Sequence, residues 1–388
     1  MSETSVVLTG SPVRRSPFDK GPVPVLITAR ELDQGGVERD VTKIAMHLDR
    51  SRFEPHVGTF YAKGLRYEEL RAAGVPILDL PVRSLLSLDA LRLARKMLRY
   101  IKHHRIRIVH AYDASGVFVL PVARLAGVPV TIGSQLSYRA ILDERTQKLL
   151  RWSDRVPDAT LVNCEAIREY MIADEHIAPQ RLEICYNGVD TSQFYPPASR
   201  GAVAAIVGTV CALRPEKNLP LLQEAFARVR HLQPELKLVV VGSGAELGAL
   251  QQNASRLGIA EASVFVPATR EVADWLRSMD IFVLPSYSEA FSNSLLEAMA
   301  CGCAVVASRV GGLPELTGKN QEQGLLFASG DVEELTAQLT RLIQDAELRR
   351  ELGTRAAKFA RESLSIQIAA ERTGAMYERL LLRKTVTA

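Results

Sequence analysis

Residues 285–302 read Pro285-Ser-Tyr-Ser-Glu289-Ala-Phe-Ser-Asn-Ser-Leu-Leu-Glu297-Ala-Met-Ala-Cys-Gly302 and set two carboxylates eight positions apart. The apolar run before them predicts a buried strand at 281–284, and residues 293–300 predict a short helix that Gly302 ends. Glu297 then lies among apolar helix residues, where an ionised carboxylate is costly unless hydrogen-bond donors surround it. Sugar hydroxyls are such donors, and the free N–H groups of a helix start can hold a phosphate. The stretch predicts a site for a polyhydroxylated anion, although either glutamate taken alone is also compatible with a solvated position.

The length and composition favour a two-domain protein. At ~100–200 residues per domain, 388 residues are enough for two domains with cores of their own. The net charge of +4 is too small to indicate a nucleic-acid partner. An odd number of cysteines favours reduced thiols, and the spacing matches no zinc site: Cys164, Cys185, Cys211, Cys301 and Cys303. Residues 1–21 are polar and lack the apolar core of a signal peptide, so we expect a disordered tail and a cytoplasmic protein.

Strand-like and helix-like segments alternate along the whole chain, as in crossover units that build parallel sheets. The first half carries predicted strands at 23–29, 54–59, 77–80, 106–110, 128–132, 159–163 and 182–185. Turn formers and prolines fill 187–201, and predicted strands resume at 202–210, 236–241, 263–266, 281–284 and 304–307. We therefore predict an α/β protein with two Rossmann-like, doubly wound parallel-sheet domains that face each other across a cleft. The predicted bounds are 22–190 and 202–364, with a linker at 191–201 and a final helical segment at 365–388.

Glycines and basic residues occur at the carboxyl ends of several predicted strands, where ligands of such sheets bind. Gly35 and Gly36 open the first helix and would let the backbone approach a pyrophosphate, although most glycine pairs only form turns. Arg214 and Lys217 follow the first strand of the second half, where they could clamp a diphosphate or simply be solvated. The spacing Gly242-Ser-Gly244 misses the dinucleotide fingerprint by one residue, and we therefore reject a nicotinamide cofactor.

As an ordered set, these motifs resemble those of glycosyltransferase family 4, a group of retaining enzymes with the GT-B fold. The resemblance runs from about residue 22 onward and is strongest from 205 to 327. It rests on Gly35-Gly36-Val-Glu38-Arg39, Asn187-Gly-Val-Asp190, Arg214-Pro-Glu-Lys217-Asn218, Gly242-Ser-Gly244, Glu289 with Glu297, and Gly302-Cys-Ala-Val-Val-Ala-Ser-Arg-Val-Gly-Gly312.

The resemblance implies a role for each motif residue. Glu297 would bind the ribose hydroxyls of a donor nucleotide, and Glu289 the hydroxyls of the transferred sugar. Arg214 and Lys217 would neutralise the diphosphate and, with Glu289, would form the catalytic group. The other donor contacts would come from backbone groups and from one side chain beside the base: Gly35, Gly36, Gly242, Ala290, Phe291, Ser292 and Arg270. The last helix would return to pack on the first domain.

The implied activity is the transfer of a hexose-type sugar, with retention, from a UDP- or GDP-sugar to a hydroxyl of a glycan or lipid-linked acceptor. This reaction belongs to polysaccharide, glycolipid and glycoconjugate biosynthesis. No metal and no cofactor would be required, because fixed cations and helix-end dipoles stabilise the leaving group. Two alternatives stay open. A nucleotide-sugar epimerase of the same fold would convert the donor without any acceptor, and a catalytically silent relative would only bind its partner.

One departure from the family concerns the segment after the strand at 128–132. Many members carry a histidine there, but this chain continues Ser134-Gln135-Leu-Ser-Tyr138-Arg139. Gln135 and Arg139 are the polar residues that would face the sugar in its place. His110 ends another predicted strand and is a third candidate for contact with donor or acceptor, although a lone histidine at a strand end is more often structural.

The predicted helix at 88–103 has one strongly basic side. That side carries Arg92, Arg95, Lys96, Arg99, Lys102 and His103. The apolar side would carry Leu91, Ala94, Leu98 and Ile101. A basic stripe of this kind either remains solvated or rests on anionic lipid, at ~1 kcal/mol per basic residue near the surface. The second alternative would place the protein peripherally on the cytoplasmic face of a membrane, near lipid-linked acceptors.

Overall fold

A computed structural model of the chain describes residues 16–19, 21–33, 35–81, 88–139, 143–201, 203, 205–318 and 320–387. The strands among these residues form two separate parallel sheets, of seven and six strands. The predicted α/β class with two doubly wound sheets is confirmed. Residues 1–15 and 20 of the predicted tail, like residues 202 and 204 of a predicted strand and residue 388, lie outside the described residues. Within the rest of that tail, the Phe18 ring packs edge-on against Phe53 with centroids 5.4 Å apart.

The first sheet has the strand order β3-β2-β1-β4-β5-β6-β7, with every neighbouring pair parallel. Its strands are β1 (Val23–Glu31), β2 (Phe53–Tyr61), β3 (Ile77–Asp79), β4 (Ile108–Tyr112), β5 (Val130–Gln135), β6 (Ala159–Val162) and β7 (Leu182–Ile184). The helices between them are α1 (Gly36–His47), α2 (Leu65–Ala72), α3 (Leu88–His103), α4 (Gly116–Leu125), α5 (Glu144–Ser153) and α6 (Glu165–Ala173). Because the order reverses between β1 and β4, the loops after these two strands open onto a crevice.

The second sheet repeats the arrangement with the order β10-β9-β8-β11-β12-β13. Its strands are β8 (Ile206–Val210), β9 (Lys237–Val241), β10 (Ser263–Val266), β11 (Ile281–Leu284), β12 (Ala304–Ser308) and β13 (Leu325–Phe327). Its helices are α7 (Leu219–Val229), α8 (Leu247–Arg256), α9 (Val272–Ser278), α10 (Asn293–Ala300), α11 (Leu313–Thr317), α12 (Val332–Gln344) and α13 (Ala346–Ser363). The order reverses between β8 and β11, so the loops after those strands mark the second crevice. Strand β13 was not predicted from the sequence, although β3 and β7, which are equally short, were.

The chain crosses between the two sheets twice, at neighbouring places. The Val189 carbonyl accepts from the Ile366 N–H at 2.8 Å, and the Val189 N–H donates to the Leu364 carbonyl at 2.9 Å. A Cβ atom at Gly188 would lie 2.7 Å from the Ile366 Cα, so the two crossings fit only because Gly188 has no side chain. After the second crossing, α14 (Ile366–Thr387) returns to the first domain, where the Tyr377 ring packs on Phe53 with centroids 5.7 Å apart.

Helix α3 presents its basic side to solvent, but its buried side differs from the predicted one. Leu93, Met97 and Ile101 are buried against the sheet, whereas Leu91 is 56% exposed. The predicted inward position of Leu91 is therefore wrong, and its apolar side chain lies at the surface near the basic residues. None of the helices in the described part of the chain has the length and apolarity that crossing a membrane would require.

Candidate active site

The loop that follows β11 brings Glu289 against Lys217 of the loop that follows β8. Lys217 Nζ donates a hydrogen bond to Glu289 Oε1, and Ser286 Oγ donates to the same oxygen at 3.0 Å. A third contact joins the loops, since the Tyr287 N–H donates to the Glu216 carbonyl at 2.8 Å. Two residues that the sequence analysis singled out separately thus form one acid–base pair, which is mostly shielded from solvent.

Arg214 lies at the mouth of this pair and does not join it. Its side chain is 68% exposed, and its nearest acidic partner among the described residues is Glu216, at 3.9 Å. Arg214 precedes the single 3₁₀ turn Pro215–Lys217, and the left-handed φ of 49° at Asn218 then starts α7. The Arg214 guanidinium is therefore exposed to solvent, whereas Lys217 is mostly shielded, and a ligand contact of either residue stays a prediction.

Glu297 lies on α10 with its side chain 3% exposed, and the cation nearest to it comes from the other domain. Arg39 Nη1 of α1 approaches Glu297 Oε1 to 2.6 Å. The angle of approach is poor, however, and within the described part of the chain Glu297 Oε1 receives no hydrogen bond. A buried carboxylate oxygen without a donor is costly, and a ligand hydroxyl is the kind of group that would satisfy it.

The N-terminus of α10 faces the first domain. Ser292 is the N-cap, and its Oγ accepts from the Leu295 N–H at 3.3 Å. Among the described residues, none accepts a hydrogen bond from the backbone N–H groups of Ala290, Phe291 or Ser292. A Cβ atom at Gly36 would lie 3.6 Å from Asn293 Nδ2, so the predicted glycine pair does reach the start of this helix from across the cleft.

A polar network that the sequence analysis missed connects α1, α10 and the first crossing. Asn293 Nδ2 donates to Asp40 Oδ1 at 3.2 Å, and Asn293 Oδ1 accepts from Asn187 Nδ2 at 3.0 Å. Burial raises the pKa of Asp40 from 3.8 to about 6, against the opposing charges of Arg39 and Lys43. The available signal was Asp40 and Lys43 on one side of α1, directly after the quoted Gly-Gly motif.

Gly242 and Arg270 lie at the carboxyl ends of β9 and β10. The φ of Gly242 is +149°, and a Cβ atom there would lie 1.8 Å from the Cys211 carbonyl oxygen. The glycine is therefore required so that the loops after β8 and β9 can pack together. Arg270 is exposed on the loop after β10. Whether either residue contacts a donor stays a prediction.

A second glycine pair supports the loop of Glu289. Gly311 has a left-handed φ of +50°, and a Cβ atom there would lie 1.7 Å from the Glu289 carbonyl oxygen. The Gly312 N–H donates to the Ala290 carbonyl at 2.8 Å. The strand-end motif noted in the sequence therefore holds the backbone of the predicted sugar loop.

The three candidates for contact with sugar or acceptor are internal instead. His110 is fully buried, its Nδ1 bonded to the Tyr377 hydroxyl and its Nε2 to Ser134 Oγ, both at 2.7 Å. Burial lowers the pKa of His110 to about 3. The prediction of a contact at His110 is therefore corrected, because both ring nitrogens are already bonded to the protein.

Gln135 and Arg139 require the same correction. Arg139 is 1% exposed and pairs through both terminal nitrogens with Asp154, at 2.7 and 2.8 Å, and through Nη1 with Glu175 at 3.1 Å. Gln135 Oε1 accepts from Arg139 Nε at 2.9 Å, and its Nε2 donates to the Ser137 carbonyl. These side chains hold the segment after β5 together and do not face the cleft. Across the described residues, no group of three or more His, Cys, Asp and Glu side chains has the arrangement of a metal site.

Comparison with known proteins agrees with the predicted resemblance. Residues 34–193 match the family model described as Glycosyltransferase Family 4, and residues 202–359 match the one described as Glycosyl transferases group 1. An MMP alpha-(1->4)-mannosyltransferase of Mycolicibacterium hassiacum is 30% identical over 295 residues, which are 71% of each protein. A D-inositol 3-phosphate glycosyltransferase of Segniliparus rotundus is 32% identical over 53% of this chain, and the match spans about half of that relative, 48%.

Solved structures show the same fold. The Anabaena protein Alr3699/HepE, solved in complex with UDP, superposes with a TM-score of 0.79 at 20% identity, over 92% of this chain and all of that one. A glycosyltransferase from Rickettsia africae gives 0.80 at 16% identity, over 93% and 99%. The GT-B fold that the motifs predicted is confirmed.

Proposed function

This chain belongs to glycosyltransferase family 4, and we propose that it moves a hexose-type sugar from a nucleoside-diphosphate sugar to a hydroxyl of a glycan or lipid-linked acceptor. One observation carries the proposal: Oε1 of the buried carboxylate Glu297 has the poorly aligned Arg39 as its ion-pair partner and no hydrogen-bond donor among the described residues, and Glu297 lies on the helix that follows the Lys217–Glu289 pair. A pair of vicinal hydroxyls would satisfy Glu297, and a phosphate would fit between Lys217 and the start of α10.

UDP is the nucleotide we expect, with GDP as the alternative. The support is that the Anabaena protein of the same fold was solved with UDP, with UDP and glucose, and with UDP-glucose. In this chain, Glu297 would take the ribose hydroxyls, and Arg270 would lie beside the base. Gly35, Gly36 and Gly242 would border the phosphates, with the N–H groups of Ala290 to Ser292 directed at them.

The proposed reaction retains the anomeric configuration and uses no metal ion. The bond between the sugar C1 and the phosphate oxygen breaks, and a bond from C1 to the acceptor oxygen forms on the same face. The acceptor proton passes to the departing phosphate. Lys217, Arg214 and the dipole of α10 stabilise the charge on the leaving diphosphate, as preorganised donors do in a shielded site. Glu289 accepts hydrogen bonds from the hydroxyls of the sugar, and Lys217 orients the Glu289 carboxylate.

We propose that the acceptor is reached at an anionic membrane surface. The exposed Leu91 lies one and four positions before the exposed Arg92 and Arg95 on α3, and α4 packs against both α3 and α5. Helix α5 adds two exposed apolar side chains, Leu149 and Trp152. A face that combines basic and apolar side chains suits the headgroup region of an anionic bilayer. Such a placement is peripheral and on the cytoplasmic side.

Vesicle sedimentation tests the membrane proposal. The protein should pellet with vesicles of phosphatidylglycerol and phosphatidylcholine at about 0.15 M salt and should stay in solution with phosphatidylcholine alone. The variant Arg92→Glu/Arg95→Glu should lose this binding, while Arg350→Glu/Lys358→Glu on α13 should keep it. Binding that is absent, or that both double variants weaken equally, would refute the use of this face.

An acceptor-dependence assay tests the transfer itself. Purified protein is incubated with UDP-hexoses or GDP-hexoses, with and without a lipid and glycan extract, and release of the nucleoside diphosphate is measured together with the NMR spectrum of the donor. Transfer predicts release that requires the extract and disappears in Glu289→Ala. Conversion of the donor without the extract would indicate an epimerase, and an unchanged donor with tight nucleotide binding would indicate a silent binding protein.

A further inference from the structure

Glu315 lies on α11 of the second domain but makes its hydrogen bonds to the first domain. Its Oε2 accepts from the Glu165 N–H at 2.9 Å, and its Oε1 accepts from the Ala166 N–H at 3.1 Å. These are the first two residues of α6, whose N-cap residue Cys164 supplies no capping side chain. A carboxylate of one domain thus caps a helix of the other, at the end where the helix dipole favours a negative charge.

Tyr186 holds the same carboxylate from the segment that leaves the first domain. Its hydroxyl donates to Glu315 Oε2 at 2.9 Å. Burial, followed by the charge of Glu315, raises the pKa of Tyr186, so the hydroxyl remains a donor at neutral pH. The Tyr186 ring also packs beside Phe291, with ring centroids 5.6 Å apart. Phe291 is two residues from Glu289, so the Glu315 contacts extend to the predicted sugar loop.

The residues just before Glu315 touch that loop directly. The Ala290 carbonyl accepts from the Gly312 N–H at 2.8 Å, and Cys164 Sγ of the first domain lies 3.5 Å from the same oxygen. Residues 311–315 therefore contact the backbone of Glu289 and Ala290 at one end and the start of α6 at the other. A shift of the first domain relative to the second would have to break the Glu315 cap or move this loop.

We propose that Glu315 is a positioning residue that sets the orientation of the first domain relative to the Glu289 loop. The inference rests on the proposed transfer reaction and deepens it. The nucleotide would be held largely by the second domain, through Glu297 and Lys217. Transfer also requires the first domain, which would hold the acceptor, to be correctly oriented relative to Glu289. Loss of Glu315 should therefore slow transfer more than it weakens nucleotide binding, and should admit water to the donor.

Kinetics of Glu315→Ala test this inference. We expect kcat for transfer to fall by about 10- to 100-fold, as for the loss of hydrogen bonds to a charged group, with the Kd for UDP within about threefold of wild type. The ratio of donor hydrolysis to transfer should rise. Glu315→Gln keeps one acceptor oxygen and should recover part of kcat. The control is Asp345→Ala, which removes a cap within the second domain, where Asp345 Oδ1 accepts from the Leu348 N–H at 2.9 Å.

Three kinetic results would overturn the inference: an unchanged kcat in Glu315→Ala, an equal loss of kcat and UDP affinity, or the same loss in Asp345→Ala. Small-angle X-ray scattering separates this inference from the proposed function, because it needs no activity. With UDP bound, Glu315→Ala should have a larger radius of gyration than wild type, and Asp345→Ala should not. Equal radii would contradict the positioning role, whereas a wild type that neither binds UDP nor transfers sugar would contradict the proposed function.

Discussion

Arg39 of the first domain and Glu297 of the second lie 2.6 Å apart across the cleft, Nη1 to Oε1, although strands β2 to β11 lie between them in the chain. The contact couples α1 to α10 and holds a cation against the carboxylate that we expect to bind ribose. Because the pair is poorly aligned for a hydrogen bond, Glu297 Oε1 has an ion-pair partner but no hydrogen-bond donor among the described residues. A bound donor would therefore share or replace the Arg39 contact. Nucleotide binding would then depend on the orientation of the two domains.

Replacing Arg39 should destabilise the protein measurably. Arg39→Met removes the nearer of two cations, Arg39 and Lys43, that oppose the charge of the almost fully buried Glu297, and we expect a loss of about 2–3 kcal/mol in the free energy of unfolding. The control Arg350→Met removes an exposed pair with Glu347 and should cost less than about 1 kcal/mol. Denaturant unfolding at pH 7 measures both. Equal losses in the two variants would show that the Arg39–Glu297 contact has no special weight.

We expect Lys217 to contribute strongly to the rate of sugar transfer. Lys217→Ala removes the inner cation of the proposed diphosphate site, and kcat/KM for transfer should fall by about 10²–10³, as when one preorganised donor is removed. Lys217→Arg should recover little, because a planar guanidinium does not replace a compact ammonium beside Glu289. Lys358→Ala, an exposed position on α13, serves as the control. A loss below about threefold in Lys217→Ala would refute its assignment.

Asp40 should make the free energy of unfolding depend on pH between about pH 4 and pH 6. Its pKa rises from 3.8 in the unfolded chain to about 6 on folding, so the folded protein holds this proton more tightly. The stability gained in this way is fully present below pH 3.8 and is lost as pH rises through 6. Asp40→Asn should therefore match wild type near pH 4 and exceed it by about 2–3 kcal/mol at pH 7.5. Asp174→Asn, at an exposed position, should show no such trend in thermal unfolding, and a constant difference at all pH values would contradict the assignment.

His110 should contribute to stability and not to catalysis. Tyr377→Phe leaves His110 Nδ1 without its partner, which should cost about 1–2 kcal/mol in the free energy of unfolding. The KM for donor and acceptor should stay unchanged. Because burial keeps the pKa of His110 near 3, the histidine should impose no pH dependence on kcat between pH 5 and 8. Tyr195→Phe, about half exposed, is the control. A raised KM in Tyr377→Phe would contradict this prediction and would indicate that His110 contacts a substrate.

The alternation of apolar strands and amphipathic helices was enough to predict both sheets, because helices on both faces force such strands into continuous apolar runs. The quoted stretch also predicted that Glu289 lies in a loop and Glu297 inside a helix. The strand that was not predicted, β13, is as short as β3 and β7, which were predicted, so its length alone does not explain the difference.

The sequence alone could not predict the direction in which single polar side chains point. His110 ends β4 in a position that could face the cleft or the interior, and the choice depends on Tyr377, which returns on α14 far along the chain. Arg139 is buried because Asp154 and Glu175 converge on it from separate segments. Contacts between the domains, such as that of Glu315 with the start of α6, could not be predicted, because the sequence around each residue gives no information about its partner in the other domain.

Calorimetric titration of UDP into wild type, Glu297→Ala and the control Glu351→Ala, an exposed carboxylate on α13, tests the proposed donor site most directly. We expect saturable binding to wild type and to Glu351→Ala, and a loss of at least about tenfold in affinity for Glu297→Ala, as expected when the acceptor of two ribose hydroxyls is removed. GDP in place of UDP would change the donor but keep the site. Equal nucleotide affinity in wild type and Glu297→Ala, or no binding of either nucleotide to wild type, would contradict the proposed donor site.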